Sequence, residues 1–346
     1  MQNKIITPPK KPKRNASIEL LRIISMLLVM LVHYNWPLNG RLNVEMFNES
    51  VWKFVGCASL NSLDFVCVNC FIIISGYFGI IWKLKSLLNF LFQIGFWGGL
   101  LYLICWGLGN HAFQPLVMVK QMTCFLFGVN WFFIAYLGLY LIAPILNSFI
   151  EKSTERQLGV MVLAFYAFQT LFGWLSSEAV DFHAGMSTMS FTGIYLLGAY
   201  LKKSQLKWFQ WSAMANLAVY LGVGVFCVLI SLVAVRFGLN KSIYSYISPL
   251  QIIQTIYLFL FCKSLSLQRA EKIVLFFSSS AFAALLMHSW EDGSWLYYTG
   301  LHWIYDNIQL PFFAAMGYIV LYFITACCLD KLRVWCWYHT LAKCFK

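Results

Sequence analysis

The residues best suited to chemistry lie in one apolar run near the N-terminus, Ser17-Ile-Glu-Leu-Leu-Arg-Ile-Ile-Ser-Met-Leu-Leu-Val-Met-Leu-Val-His33. An imidazole has an ordinary pKa near 6.5 and takes a proton at neutral pH. A guanidinium suits phosphate groups. Glu19 precedes Arg22 by three residues, so in a helix the two share a face and can pair. Arg22 to His33 is a step of eleven, which returns to within about 20° of the same direction and separates the two by about 16 Å along the axis. Glu19, Arg22 and His33 therefore form one stripe. An Arg inside a membrane helix costs about 2.5–3.5 kcal/mol on insertion scales, so it needs a partner or a polar cavity. Taken singly, Arg22 can snorkel to lipid phosphates and His33 can be an interfacial residue. Together with Glu19 they read as a functional stripe.

The surrounding elements must be membrane helices. Of 346 residues, 60% are hydrophobic and 11% charged, too few charges to cover a water-facing surface of this size. A soluble multi-domain enzyme, a disordered chain and a collagen-like repeat are excluded. Ten apolar segments emerge, at about 18–36, 54–80, 86–108, 130–150, 157–176, 189–201, 212–235, 247–264, 273–290 and 311–329. Each is read as a helix crossing a hydrocarbon core of about 30 Å. The expected fold is all-α and polytopic, with residues 1–14 a basic cytosolic tail and 15–346 a single membrane domain.

The net charge of +12 follows topology rather than nucleic-acid binding. With the N-terminus inside and ten crossings, 19 Lys and Arg fall on the inner side, from Lys4 to Lys346. Five fall outside, Arg41, Lys53, Lys120, Arg236 and Lys241. That asymmetry fixes orientation and puts both termini in the cytosol. The outer loops carry acids such as Glu45, Asp181 and Asp292, the histidines 111, 183 and 302, and the aromatics Trp295, Tyr297, Tyr298 and Trp303. Those aromatics read as interfacial anchors, with sugar stacking the alternative. The lone Cys67-Val-Asn-Cys70 lacks a second ligand pair, so no metal site is expected.

Further motifs follow in order: Phe71-Ile-Ile-Ile-Ser-Gly-Tyr-Phe78; Asn130-Trp-Phe-Phe-Ile-Ala-Tyr-Leu-Gly-Leu-Tyr-Leu-Ile-Ala-Pro144; Ser190-Phe-Thr-Gly-Ile-Tyr-Leu-Leu-Gly-Ala-Tyr200; and Ser280-Ala-Phe-Ala-Ala-Leu-Leu-Met-His288. With the acid and the Arg-to-His spacing of the first helix, this series resembles the membrane acyltransferase-3 family over nearly the whole chain. Leu286, or its neighbour, stands where the family pattern carries Tyr. The resemblance implies an enzyme of a bacterial cytoplasmic membrane that moves an acyl group, usually acetyl from cytosolic acetyl-CoA. The acceptor it implies is a sugar hydroxyl on an outer polysaccharide or lipid-linked glycan. It also implies a substrate-binding role for Trp131 and Tyr136.

The residues accommodate that chemistry. His33 is the candidate general base or transient acyl carrier. Arg22 is the candidate donor-phosphate ligand, oriented by Glu19. Ser75, Gly76 and Tyr77 are expected in a tight polar turn, with Ser75 or Tyr77 donating to the oxyanion and with Gly76, which allows close backbone approach, and Tyr77 binding the acetyl-CoA donor. For Ser75-Gly76 the alternative is close helix packing by small residues. His288 is either a second catalytic residue or a structural histidine. The rival function is a glycolipid transporter or flippase with Arg22, His33 and Asp64 along the path. A non-catalytic assembly partner is the third reading.

Overall fold

The computed structural model describes residues 14–126, 130–176, 180–238 and 243–345. Residues 1–13 of the expected basic tail, and the loop residues Glu178 and Lys241, lie outside them. Among the described residues the regular elements are all helical.

The chain opens with α1 (Ala16–Asn39), whose start is capped by Asn15 Oδ1 accepting from the Ser17 amide at 3.0 Å. A short helix, α2 (Val44–Glu49), lies beyond it. Next come α3 (Val51–Asp64) and α4 (Cys67–Phe78), which form one crossing broken at Phe65–Val66. Then follow α5 (Leu84–Gly107), the short α6 (Pro115–Met122), α7 (Trp131–Lys152) and α8 (Glu155–Phe168). The second half holds α9 (Thr188–Lys203), α10 (Ala213–Arg236) and α11 (Pro249–Lys263). It closes with α12 (Glu271–Ser278), α13 (Ala281–Ser289), α14 (Glu291–Asn307) and α15 (Pro311–His339).

Eight helical stretches among the described residues are long and apolar enough to cross a membrane. The other two expected crossings are α9 and α11, of 16 and 15 residues. At about 1.5 Å per residue they fall short of the hydrocarbon thickness. Both are largely buried inside the protein, where neighbouring helices rather than lipid satisfy them. The chain is thus a multi-pass helical membrane protein. α7, α8 and α10 present most of their apolar surface outward, while α1, α4 and α13 are enclosed at the centre.

The last helix differs from expectation. The sequence reading ends it near 329 and counts Arg333 as a loop charge, yet α15 continues to His339. The reason is electrostatic. Arg333 grips Asp330 through two bonds, Nε to Oδ1 at 2.6 Å and Nη2 to Oδ2 at 3.0 Å. Trp97 Nε1 also donates to Asp330 Oδ1 at 3.2 Å, and Asn89 Oδ1 accepts from Arg333 at 3.2 Å. A fully paired bidentate couple can be buried, so two charges join the helix instead of ending it. The ninth crossing is likewise two helices. Lys331 Nζ bridges its break, donating to Phe276 O, Ser279 Oγ and Ser280 Oγ at 2.8–3.1 Å.

Candidate active site

The centre of the site is a histidine pair that joins the first helix to α13. His33 Nδ1 lies 2.9 Å from His288 Nε2. The other His288 nitrogen, Nδ1, contacts the carbonyl oxygen of Ala284, one turn back on α13. A carbonyl only accepts, so Nδ1 of His288 carries a proton. In the neutral ring its Nε2 is then an acceptor. His33 must therefore donate from Nδ1, which leaves its Nε2 with a free lone pair. This chain of bonds selects the tautomer of His33 in which Nδ1 carries the proton and Nε2 the lone pair. His288 is 1% exposed, whereas His33 keeps partial exposure.

His33 is held from the outer side as well. Pro37 has no amide hydrogen, so it cannot donate to the carbonyl four residues earlier, which belongs to His33. Tyr298 Oη donates to that carbonyl at 2.8 Å, and Tyr297 Oη donates to Met30 O at 3.0 Å. Burial pushes the Tyr298 hydroxyl up to about 12, so it stays protonated and able to donate. The outer aromatics that the sequence offers as anchors thus divide. Tyr297 and Tyr298 lock α1, while Trp303 stays exposed.

His33 faces a cavity of about 260 Å³ lined by Met26, Val29, Val68, Phe71, Asn130, Trp131, Phe132, Tyr246, Phe282 and Ser289, among others. Trp131, a residue to which the motif resemblance gives a substrate-binding role, lines the same cavity as His33. Tyr136 does not. It stacks on Phe132 with ring centroids 5.9 Å apart and lines a separate hollow with Phe90 and Tyr140. Asn130 is a residue the sequence reading left without a role. Its Oδ1 caps α7 by accepting from the Phe132 amide at 3.0 Å. Its side-chain nitrogen has no hydrogen-bond partner among the described residues and is free to donate into the cavity. The signal was present, an Asn directly before an apolar helix, but capping alone does not announce a ligand contact.

The acid and guanidinium of α1 lie toward its start. Glu19 is buried, 3.4 Å from Arg22 and 3.3 Å from Arg14. The Glu19–Arg22 contact pairs charges without the alignment of a hydrogen bond. The stripe from Arg22 to His33 passes through Met26 and Val29, both in the cavity wall. The stripe is therefore polar at its ends and apolar between them.

Ser75, Gly76 and Tyr77 do not form a turn. They are the last turn of the helix α4, away from the histidine cavity, and Ser75 Oγ donates to Phe71 O at 3.0 Å within that helix. A methyl on Gly76 would collide with the Tyr195 carbonyl, and one on Gly198 with the Ile73 carbonyl. The Ser-Gly-Tyr segment and the Leu-Gly-Ala-Tyr segment are thus two sides of one close α4–α9 crossing. Tyr77 also sits under Lys263, with Nζ 5.3 Å from the ring centre. Asp64 ends α3 fully buried, does not line the histidine cavity and has no hydrogen-bond partner among the described residues. Cys67 is buried near the Tyr246 hydroxyl. Among the described residues no three His, Cys, Asp or Glu gather as a metal site.

The fold defines a class, a polytopic helical membrane protein, and it brings two histidines from distant helices together between its helices. The family model described as an acyltransferase domain, acyltransferase-3, matches residues 15–330. The chain belongs to that family and is a membrane acyltransferase that transfers groups other than aminoacyl groups. Neither the curated proteins nor the solved structures compared with it give a match.

Proposed function

We propose that the protein is an O-acyltransferase that moves an acetyl group from cytosolic acetyl-CoA to a sugar hydroxyl presented from the opposite side of the membrane. The observation that carries this reading is the free Nε2 of His33, set by the His33–His288–Ala284 chain and facing a cavity beside the apolar part of α1. A bacterial cytoplasmic membrane is the setting that goes with such an acceptor.

The cavity volume is near the small end of ligand pockets. It suits the reacting ends of two substrates rather than either whole. Arg22 and Glu19, on the cytosolic part of α1, suit the phosphates of the donor. Met26 and Val29 suit the uncharged arm that reaches from those phosphates to the thioester. His33 Nε2 takes the proton of the acceptor hydroxyl as its oxygen forms a bond to the acyl carbon. The carbonyl oxygen gathers negative charge, and the Asn130 amide nitrogen is a free donor in the cavity wall for it. The C–S bond then breaks, and the imidazolium returns the proton to the leaving thiolate. No proton is gained or lost over the cycle. His288 touches neither substrate in this scheme. It is a positioning residue that keeps His33 in the productive tautomer and stabilises it while charged.

The test is acetyl transfer by the purified protein in detergent, followed with labelled acetyl-CoA and a panel of glycans. The expected result is labelled ester on a glycan in the wild type and none in His33→Ala. Transfer that persists in His33→Ala would overturn the assignment. Glycan movement across vesicles without any thioester cleavage would replace it with transport.

A further inference from the structure

A second hollow opens at the outer end of the molecule, between α1, α2, α3, α10 and the segment 243–248. It has a volume of about 710 Å³, within the range of ligand pockets. Its wall includes Trp36, Arg41, Asn43, Glu45, Asn61 and Tyr244. Asn61 is fixed by Asn35, whose Nδ2 donates to its Oδ1 at 2.8 Å. Arg41 stacks on the Trp36 ring at 5.1 Å and pairs with no carboxylate among the described residues. Glu45 is equally without an ion-pair partner among them, although it lines the same hollow.

This combination fits a sugar. A guanidinium held over the Trp36 ring donates to hydroxyl oxygens, and a carboxylate accepts hydroxyl hydrogens. Among its described lining residues one side chain is positive and one negative, so an anionic unit that gained from Arg41 would meet Glu45. The position also fits. Trp36 is one turn beyond His33 on α1, about 4.5 Å further along the axis. Phe65, in the break between α3 and α4, touches Trp36 at 5.3 Å, Tyr244 at 6.1 Å and Tyr246 at 5.5 Å. Tyr246 in turn lines the cavity of His33. One aromatic wall therefore separates the two hollows and borders both.

We propose that this outer hollow is a binding site for a neutral hexopyranose unit of the acceptor, held by Glu45 and by Arg41, which the Trp36 ring keeps in place. The proposal rests on the glycan-acyltransferase reading above, and it assigns one acceptor unit a place across an aromatic wall from the cavity of His33.

The experiment measures binding without donor, by ligand-observed NMR on the protein in detergent. The probes are neutral trisaccharides of glucose, galactose and rhamnose, and a galacturonic acid trimer of equal length. The expected result is binding of a neutral trisaccharide, with the uronate weaker. Trp36→Ala and Arg41→Gln each weaken it by about tenfold or more, the scale of a lost charged hydrogen bond. Trp36→Phe, which keeps an aromatic ring under Arg41, recovers part of the loss, which separates a lost support from a lost fold. Trp52→Ala removes an indole that is 85% exposed on α3 and outside the hollow, and it binds as the wild type does. No neutral binding by wild type, a preference for the uronate, or binding unchanged in Trp36→Ala and Arg41→Gln would each overturn the site. The two readings fail separately. Neutral binding lost in Trp36→Ala, in a protein that never cleaves acetyl-CoA, keeps the site and sinks the reaction. Acetyl transfer to a neutral glycan at an unchanged acceptor KM in Arg41→Gln keeps the reaction and sinks the site.

Discussion

His33 and His288 divide the work of a base between two rings, and their substitutions should differ in degree. Loss of His33 removes the proton acceptor, a cost of about 10²–10⁴ in rate. His288→Ala leaves the acceptor in place but frees its tautomer. We predict a kcat lower by about 10², the small end of that range, with the donor KM unchanged. Equal, complete losses in both variants would mean that His288 itself meets substrate. Asn130 permits a cleaner division. Asn130→Asp keeps the oxygen that caps α7 and removes the nitrogen that can donate. It should retain thermal stability and lose about 10²–10³ in kcat, as for an oxyanion donor. Asn130→Ala should lose both, with about 1 kcal/mol of stability going with the cap. A fully active Asn130→Asp would remove the donor role.

At the scale of elements, proline and glycine decide more than the ionisable groups do. Pro37 frees the carbonyl of His33, and Tyr298 on α14 fills the gap. Tyr298→Phe should therefore cost about 1 kcal/mol, the net value of one hydrogen bond. It should also lower kcat by loosening His33, although Tyr298 makes no contact with the histidine ring in the structure. A change in stability with kcat intact would show that α1 holds its shape without the clasp. Gly76 and Gly198 hold α4 against α9. Gly76→Ala should destabilise the protein by about 1–3 kcal/mol through overpacking, and the folded fraction should keep its donor KM. A selective rise in that KM would restore the donor-binding role that the sequence suggests for Gly76. α5 and α15 are joined by the Asp330–Arg333 couple. Removing Arg333 alone strands a buried carboxylate, at about 3–5 kcal/mol. Asp330→Asn with Arg333→Gln should be less harmful than Arg333→Ala by itself, as read from melting in detergent.

On the scale of the whole molecule, the ten expected crossings and the eight long apolar stretches among the described residues are both even counts, and an even count returns the C-terminus to the side of the N-terminus. The charge asymmetry assigns that side to the cytosol. Tags on both termini should be protected from protease in right-side-out vesicles and cleaved in inverted ones. Opposite behaviour of the two tags would require an odd number of crossings. The same architecture aligns the parts of the proposed reaction across the bilayer. Arg22 lies near the inner end of α1, His33 toward the outer end, and the hollow around Trp36 and Arg41 beyond it.

Much of this was legible in the chain itself. Apolar run length and the distribution of Lys and Arg determined a helical, polytopic protein, because hydrocarbon tolerates neither unpaired backbone nor unpaired charge. The acid, the eleven-residue step and the order of the motifs pointed to the acyltransferase-3 family. Helical periodicity put Arg22 and His33 on one stripe, because it depends only on positions along one helix. What tertiary structure alone decided is which residues from different helices meet. His288 lies 255 positions from His33, and no local rule pairs them. Ser75-Gly76 reads equally as a polar turn or a packing face, and only the arrival of Gly198 from α9 selected packing. Asp330 and Arg333 read as the end of a helix until Trp97 and Asn89 from α5 supplied the hydrogen bonds that let both charges be buried. Local sequence sets the elements and their polarity, but burial of a charge or close approach of a glycine is a property of two surfaces. The second surface comes from a distant part of the chain.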